Sequence, residues 1–172
     1  TGTIDESIRH AVTKLSHIHF PATEDAAKRI ILMGENKDYV FQTGCPYIDE
    51  IIELVPVNIE ELAEKYKFDP TKKLIIFTQH SVTTEFDLAA EQITPSLDAL
   101  EVLAKSGVQI IATYPNNDAG GLSIIDKLKV LDACSIDNIQ VHRSLGRYLY
   151  HGLLALALDT KNRVVCVGNS SS

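Results

Sequence analysis

Three runs in the second half of the chain, KLIIFT (73–78), VQIIAT (108–113) and RVVCVG (163–168), are almost continuously apolar and rich in β-branched residues. A strand with one wet face alternates polar and apolar residues. A strand that does not alternate has both faces covered, which is the mark of a parallel sheet between helices. The stretches between these runs have helical spacing, and a further run, NIQVHRS (138–144), falls among them. The pattern predicts strands over 73–80, 108–115, 138–144 and 163–169, with helices over 86–106, 118–133 and 145–158 between them. Right-handed βαβ crossovers follow from that order.

The first third is less regular. Ile4, Ile8, Ala11, Val12 and Leu15 predict a helix over 4–16. HIHFPAT (17–23) reads as a short strand and loop. Thr23 is placed to cap a helix over 24–34 that ends at Gly34. YVFQTG (39–44) reads as a second strand, and 47–54 as a helix. Pro56, Asn58 and the charged stretch that follows form a connector, with a short helix at 59–66. The expected domains are 1–56, a connector at 57–72, and 73–172. The final strand runs into GNSSS with no helix to cover it, and the chain starts without methionine. The expectation is a piece cut at both ends.

A formal net charge of −7 argues against non-specific nucleic-acid binding, which needs a basic surface. It leaves room for a small anion, because local amides and cations can hold phosphate on an acidic protein. Cys45, Cys134 and Cys166 are far apart and form no CxxC pair, a pattern of reducing compartments. Cys166, inside an apolar run, is expected to be a small buried hydrophobe. No stretch is apolar and long enough to span a bilayer as a helix. The default is a cytoplasmic protein without nucleic-acid or membrane partners.

In open parallel sheets, ligands bind at the carboxyl ends of the strands. The segments there are QHSVTTE (79–85), PNNDAGG (115–121), SLGR (144–147) and GNSSS (168–172). All are small and polar. Each taken alone is also ordinary turn and cap chemistry. His80 ends a strand at this edge, where it can donate to a phosphate or act as acid or base. His17 and His19 alternate on one predicted strand face, but two histidines are not a metal site. At the start of the chain, Asp5 and Arg9 are four residues apart. By spacing alone they read as a surface ion pair. The functional alternative is a carboxylate acid or base with an arginine that orients it or holds a phosphate.

Taken in order, GTIDESIRHAVTKLSHIHFPAT, QTGCPYIDE, QHSVTTEF, YPNNDAGG and VGNSSS closely resemble the hydrolysing UDP-N-acetylglucosamine 2-epimerases of sialic and legionaminic acid biosynthesis. The resemblance covers essentially the whole chain. It implies a glycosyltransferase-B-like pair of Rossmann-type parallel-sheet domains, here only partly present. It implies an elimination of UDP across C1 and C2 of the sugar, followed by hydration of the glycal, with no metal or nicotinamide cofactor. An alternative substrate is a UDP-2,4-diacetamido sugar. An alternative of another class is a non-catalytic UDP-sugar-binding module.

Position by position, the resemblance implies catalytic roles for Asp5, Glu6 and His80. Glu6 stands where many members carry aspartate. It implies substrate-binding roles for Arg9, Asn117, Asp118, Ser170 and Ser171, and a homodimer or homotetramer. It also implies that the chain begins inside an active site, so that an upstream acidic residue of the family lies outside it. The non-hydrolysing 2-epimerases are the nearest competitor. They tend to carry HRRE-like and DSGG-like segments where this chain has HSVTTE and NSSS.

Overall fold

The computed structural model of the chain describes residues 4–53, 58–157 and 159–169. It divides into two compact units, Thr1–Glu53 and Leu54–Ser172.

The second unit is built on a parallel sheet of β1 (Leu74–Thr78), β2 (Gln109–Thr113), β3 (Ile139–His142) and β4 (Val164–Gly168), in the order β3-β2-β1-β4. Its helices are α4 (Ile59–Tyr66), α5 (Ala89–Lys105), α6 (Gly121–Ala133) and α7 (Arg147–Leu156). Side chains alternate across each strand. Phe77, Ile110 and Ala112 pack with Ile93, Leu97 and Leu100 of α5 and with Ile124, Leu128 and Leu131 of α6. Leu74, Ile76, Ile111 and Val164 pack with Leu153 and Leu156 of α7 and with Leu62, Ala63 and Tyr66 of α4. Both faces are therefore covered along β1 and β2, as their unbroken apolar runs require, whereas β4 is buried at Val164 alone. The chain builds outward from β1 through β2 to β3, then returns to the other side of β1 as β4. The carboxyl end of β1 is thus where the direction of winding reverses, and a crevice opens at such a point.

The start of one helix and the burial of one cysteine differ from the expectation, each for a local reason. The long helix begins at Ala89 rather than 86, because residues Thr83–Leu88 form tight 3-10 turns and Glu85 is non-helical (φ −134°, ψ 31°). Pro95 lies inside α5, where it cannot donate a backbone hydrogen bond. Cys166 is exposed rather than buried. It lies on β4, which has a single strand neighbour among the described residues, and of this strand Val164 alone reaches a core.

In the first unit, α1 (Ile4–Leu15), α2 (Glu24–Leu32) and α3 (Pro46–Glu53) form as the spacing predicts. Thr23 caps α2 by accepting the Ala26 amide at 3.2 Å. The two predicted strands reduce to one parallel bridge, His19 to Val40. His19 donates to the Tyr39 carbonyl (2.9 Å), and Phe41 donates to the His19 carbonyl (2.8 Å). Without a continuous strand, the expected pairing of His17 and His19 on one strand face is not formed; His19 is buried and His17 is exposed. Among the described residues, no helix is long and apolar enough to cross a membrane.

Candidate functional site at the strand ends

A cleft of about 390 Å³ opens at the carboxyl ends of β1, β2 and β3. Thr78 and His80 follow from β1, Thr113 to Asn116 from β2, and Arg143 to Arg147 from β3, with Tyr150 of α7 alongside. Its floor is tied together by Thr78 and Thr113, two buried threonines whose hydroxyls hydrogen-bond to each other. Among the described residues no carboxylate lines the cleft, whereas Arg143, Arg147 and His80 do. On a chain of net charge −7, this is a local inversion of sign. Such a concave, donor-rich surface favours an anion.

His80 is held at both its backbone and its ring. Its backbone amide donates to Asn169 Oδ1 (3.0 Å), and Asn169 Nδ2 donates back to the His80 carbonyl (2.7 Å). A side chain at the end of β4 thus grips the backbone at the end of β1. The ring is fixed separately: Nδ1 accepts the Asn116 amide at 3.0 Å. In the neutral imidazole this places the proton on Nε2 as a hydrogen-bond donor.

The neighbouring loops lock against each other. Ser81 Oγ donates to the Ala119 carbonyl at 2.5 Å. Gly120 has φ +85°, and a Cβ there would stand 2.8 Å from the Phe86 carbonyl and 3.1 Å from the Ser81 Cβ. Only glycine fits this close approach. Asn116 is braced by Asp118, to whose Oδ2 its amide donates at 2.8 Å, while the Asp118 amide donates to Asn116 Oδ1 at 3.3 Å. The DAGG turn therefore sets the position of Asn116, which in turn sets the ring of His80.

Of the residues singled out in the sequence, His80 lies in the cleft. Asp118 stands one hydrogen bond behind it, through Asn116. Asn117 is exposed and does not line the cleft. Ser170 and Ser171 fall outside the described residues. Asp5, Glu6 and Arg9 belong to the first turns of α1 in the other unit. The Asp5–Arg9 ion pair that the spacing allows is not formed: Arg9 Nε donates to the Asp5 backbone carbonyl at 3.4 Å.

Sequence reasoning passed over Arg143, and it named Asn116 and Asn169 only as members of the PNNDAGG and GNSSS segments. Arg143 and Arg147 bracket the SLG segment just after a strand, which is the signal that marks them. Asn169 could have been suspected only from its place at a strand end. Among the described residues, no cluster of three histidine, cysteine or acidic side chains could hold a metal ion.

The family model described as UDP-N-acetylglucosamine 2-epimerase matches residues 1–171. The chain is 34% identical over 172 residues to the UDP-N,N'-diacetylbacillosamine 2-epimerase (hydrolyzing) of Legionella pneumophila, covering all of this chain and 43% of that protein. It is 40% identical over 128 residues to the UDP-N-acetylglucosamine 2-epimerase of Neisseria meningitidis serogroup B, covering 74% of this chain and 33% of that protein. The chain thus spans less than half the length of these relatives. In fold, it matches the structure of UDP-N-acetylglucosamine 2-epimerase from Rickettsia bellii with a TM-score of 0.57 at 16% identity, over 97% of this chain and 41% of that one. With a parallel-sheet unit whose strand ends form an anion-suited cleft, and a family match along nearly its whole length, this chain belongs to the UDP-N-acetylglucosamine 2-epimerase family.

Proposed function

We propose that the protein containing this chain is a hydrolysing 2-epimerase that converts UDP-N-acetylglucosamine and water into N-acetylmannosamine and UDP. The observation that carries the reading is a cleft whose described lining holds two arginines, a histidine positioned as an Nε2 donor, and no carboxylate. It suits a leaving diphosphate. In the elimination, a carboxylate takes the C2 proton and the C1–O bond breaks, its electron pair leaving with UDP. Water then adds across the glycal double bond, hydroxyl to C1 and proton to C2 from the opposite face. Removing a weakly acidic C2 proton calls for a placed base, and the departing charge calls for preorganised donors.

In this reading Asp5 is a proton-transfer carboxylate, with Glu6 beside it in α1, and Arg9 holds substrate. His80 donates to the diphosphate as charge develops. Asp118 acts through Asn116, Asn117 contacts the nucleotide side, and Ser170 and Ser171 hold the diphosphate. The enzyme works as a homo-oligomer, in the cytoplasm. A second reading replaces the substrate with a UDP-2,4-diacetamido sugar. It is favoured by the alignment with the Legionella relative, which covers all of this chain and whose name specifies diacetylbacillosamine.

The test is turnover of the full-length protein in deuterated water, followed by NMR. Free N-acetylmannosamine carrying deuterium at C2, with UDP released, is the expected result. UDP-N-acetylmannosamine as the lasting product overturns hydrolysis. Turnover of the diacetamido substrate alone selects the second reading.

A further inference from the structure

The wall of the cleft after β3 is held from outside the cleft by a residue of α4. The Tyr66 hydroxyl donates to the Leu145 carbonyl at 3.0 Å in a buried contact. Tyr66 is 5% exposed, and its ring meets the His142 ring edge-on, with centroids 5.3 Å apart at 84°. The other end of the same peptide unit is held too: the Gly146 amide donates to Ser144 Oγ at 3.2 Å. The Leu145–Gly146 peptide is thus pinned at both its carbonyl and its amide.

Gly146 itself has φ 70° and ψ 151°, a conformation essentially confined to glycine. It directly precedes α7, and its carbonyl accepts the Tyr150 amide at 3.0 Å in the first turn of that helix. Ser144, Leu145, Gly146, Arg147 and Tyr150 all line the cleft. Rotating this one peptide would therefore move several of its lining groups together. Ser144 Oγ, having accepted the Gly146 amide, keeps its own proton for another acceptor.

We infer that Tyr66 is a positioning residue for nucleotide binding: by fixing the Leu145 carbonyl it sets the peptide that shapes the β3 side of the cleft. It touches no reacting atom. Tyr66 is the last residue of α4, so that helix is tied to the cleft wall at its carboxyl end. The inference rests on the reading of the cleft as a site for a nucleoside diphosphate.

The test uses full-length protein, with UDP as the binding probe and UDP-sugar turnover as the second readout. Tyr66→Phe keeps the ring against His142 and removes only the hydroxyl. It leaves the buried Leu145 carbonyl without its donor and lets the peptide rotate. The expected result is a rise of about five- to tenfold in the UDP dissociation constant and in KM, with kcat within about twofold, the signature of lost uniform binding. Gly146→Ala disturbs the same peptide through its backbone and is expected to weaken UDP likewise.

The control is Gln140→Ala. Gln140 Nε2 donates to the Lys67 carbonyl at 3.4 Å and its Oε1 lies 3.2 Å from Nε2 of His142, the ring that Tyr66 meets, so this change loosens the same junction without touching the peptide. Its UDP affinity is expected to stay that of the wild type. Unchanged UDP affinity in Tyr66→Phe or in Gly146→Ala overturns the inference while leaving the nucleotide site intact. An equal loss in Gln140→Ala also overturns it, since general loosening would then be the cause. A wild-type protein that does not bind UDP at all overturns both the inference and the reading beneath it.

Discussion

The two units of the chain are stabilised by different means. In Leu54–Ser172, large apolar side chains on both faces of the sheet are nearly inaccessible: Ile93, Ile111 and Leu153 each show 0% exposure. In Thr1–Glu53, His19 and Pro21 alone are buried among the described residues. Ile4, Ile8, Val12 and Leu15, which form the apolar stripe of α1, are all exposed, Ile4 and Leu15 by about four-fifths. What joins α1 to the turn after α2 is polar. Lys14 Nζ donates to Glu35 Oε1 at 2.5 Å and to the Met33 carbonyl at 3.2 Å, and His19 Nε2 lies 3.5 Å from Glu35 Oε2. An amphipathic stripe specifies which face of a helix seeks cover, but burial is what stabilises it. The second unit has its cover within the chain; the first holds its shape through a polar latch and one backbone bridge.

The largest expected effect breaks or confirms that contrast directly. Ile93→Ala removes a fully buried side chain between α5 and the sheet and should cost about 3–4 kcal/mol in chemical denaturation. Ile8→Ala, on the exposed stripe of α1, should cost less than about 1 kcal/mol in the same chain, because little packing is lost. Comparable losses from the two would mean that the α1 stripe is covered in solution.

A smaller effect is expected where the contrast bears on the site. Gly120→Ala puts a methyl group 2.8 Å from the Phe86 carbonyl in a backbone conformation that disfavours any side chain. A destabilisation of about 1–3 kcal/mol follows, with the DAGG turn pushed off the loop that carries Ser81. Because that turn braces Asn116, and Asn116 fixes the His80 ring, the exchange of the His80 Nε2 proton should change in the NMR spectrum. An unchanged His80 signal in a destabilised Gly120→Ala protein would separate the turn from the ring.

The same division decides what was legible beforehand. β1 and β2 could be read from runs such as LIIFT, because both of their faces are buried and the composition must say so; β4 was legible from an equally apolar run although only Val164 of it is buried. α4 came out at its observed bounds, Ile59–Tyr66, because Asn58 caps it and accepts the Glu60 amide at 3.1 Å. HIHFPAT and YVFQTG look as strand-like as NIQVHRS, yet they make only one bridge, since pairing depends on neighbours that a local pattern does not carry. At the site, His80 was visible because it directly ends an apolar run. Asn169 and Tyr66 were not, since their roles are contacts across 89 and 79 residues of sequence. Nothing near either residue in the chain marks such a contact.

The smallest expected effect concerns pH, and it contrasts the units by order rather than by size. In the second unit, burial holds the His142 imidazole below its ordinary pKa, partly offset by the Asp132 carboxylate. Between about 6.5 and that lowered value the unfolded chain binds the proton and the folded one does not, so stability falls as the pH drops through this window. In the first unit, the hydrogen bond from Lys14, aided by its charge and by His19, holds the Glu35 carboxyl below its ordinary value of 4.5 against the opposing effect of burial. The stability that this carboxylate contributes is complete above about pH 4.5 and is lost only as the pH falls through its lowered value. Amide exchange measured from pH 7 downward should therefore show α4 and β3 loosening first, and the His19–Val40 bridge only in stronger acid. His142→Phe, which keeps a ring edge against Tyr66 but cannot titrate, should flatten the first phase and leave the second. Glu35→Gln should do the reverse. If His142→Phe left the first phase unchanged, another group would have to carry the acid sensitivity of the sheet unit, and the order of loosening would no longer distinguish an apolar core from a polar latch.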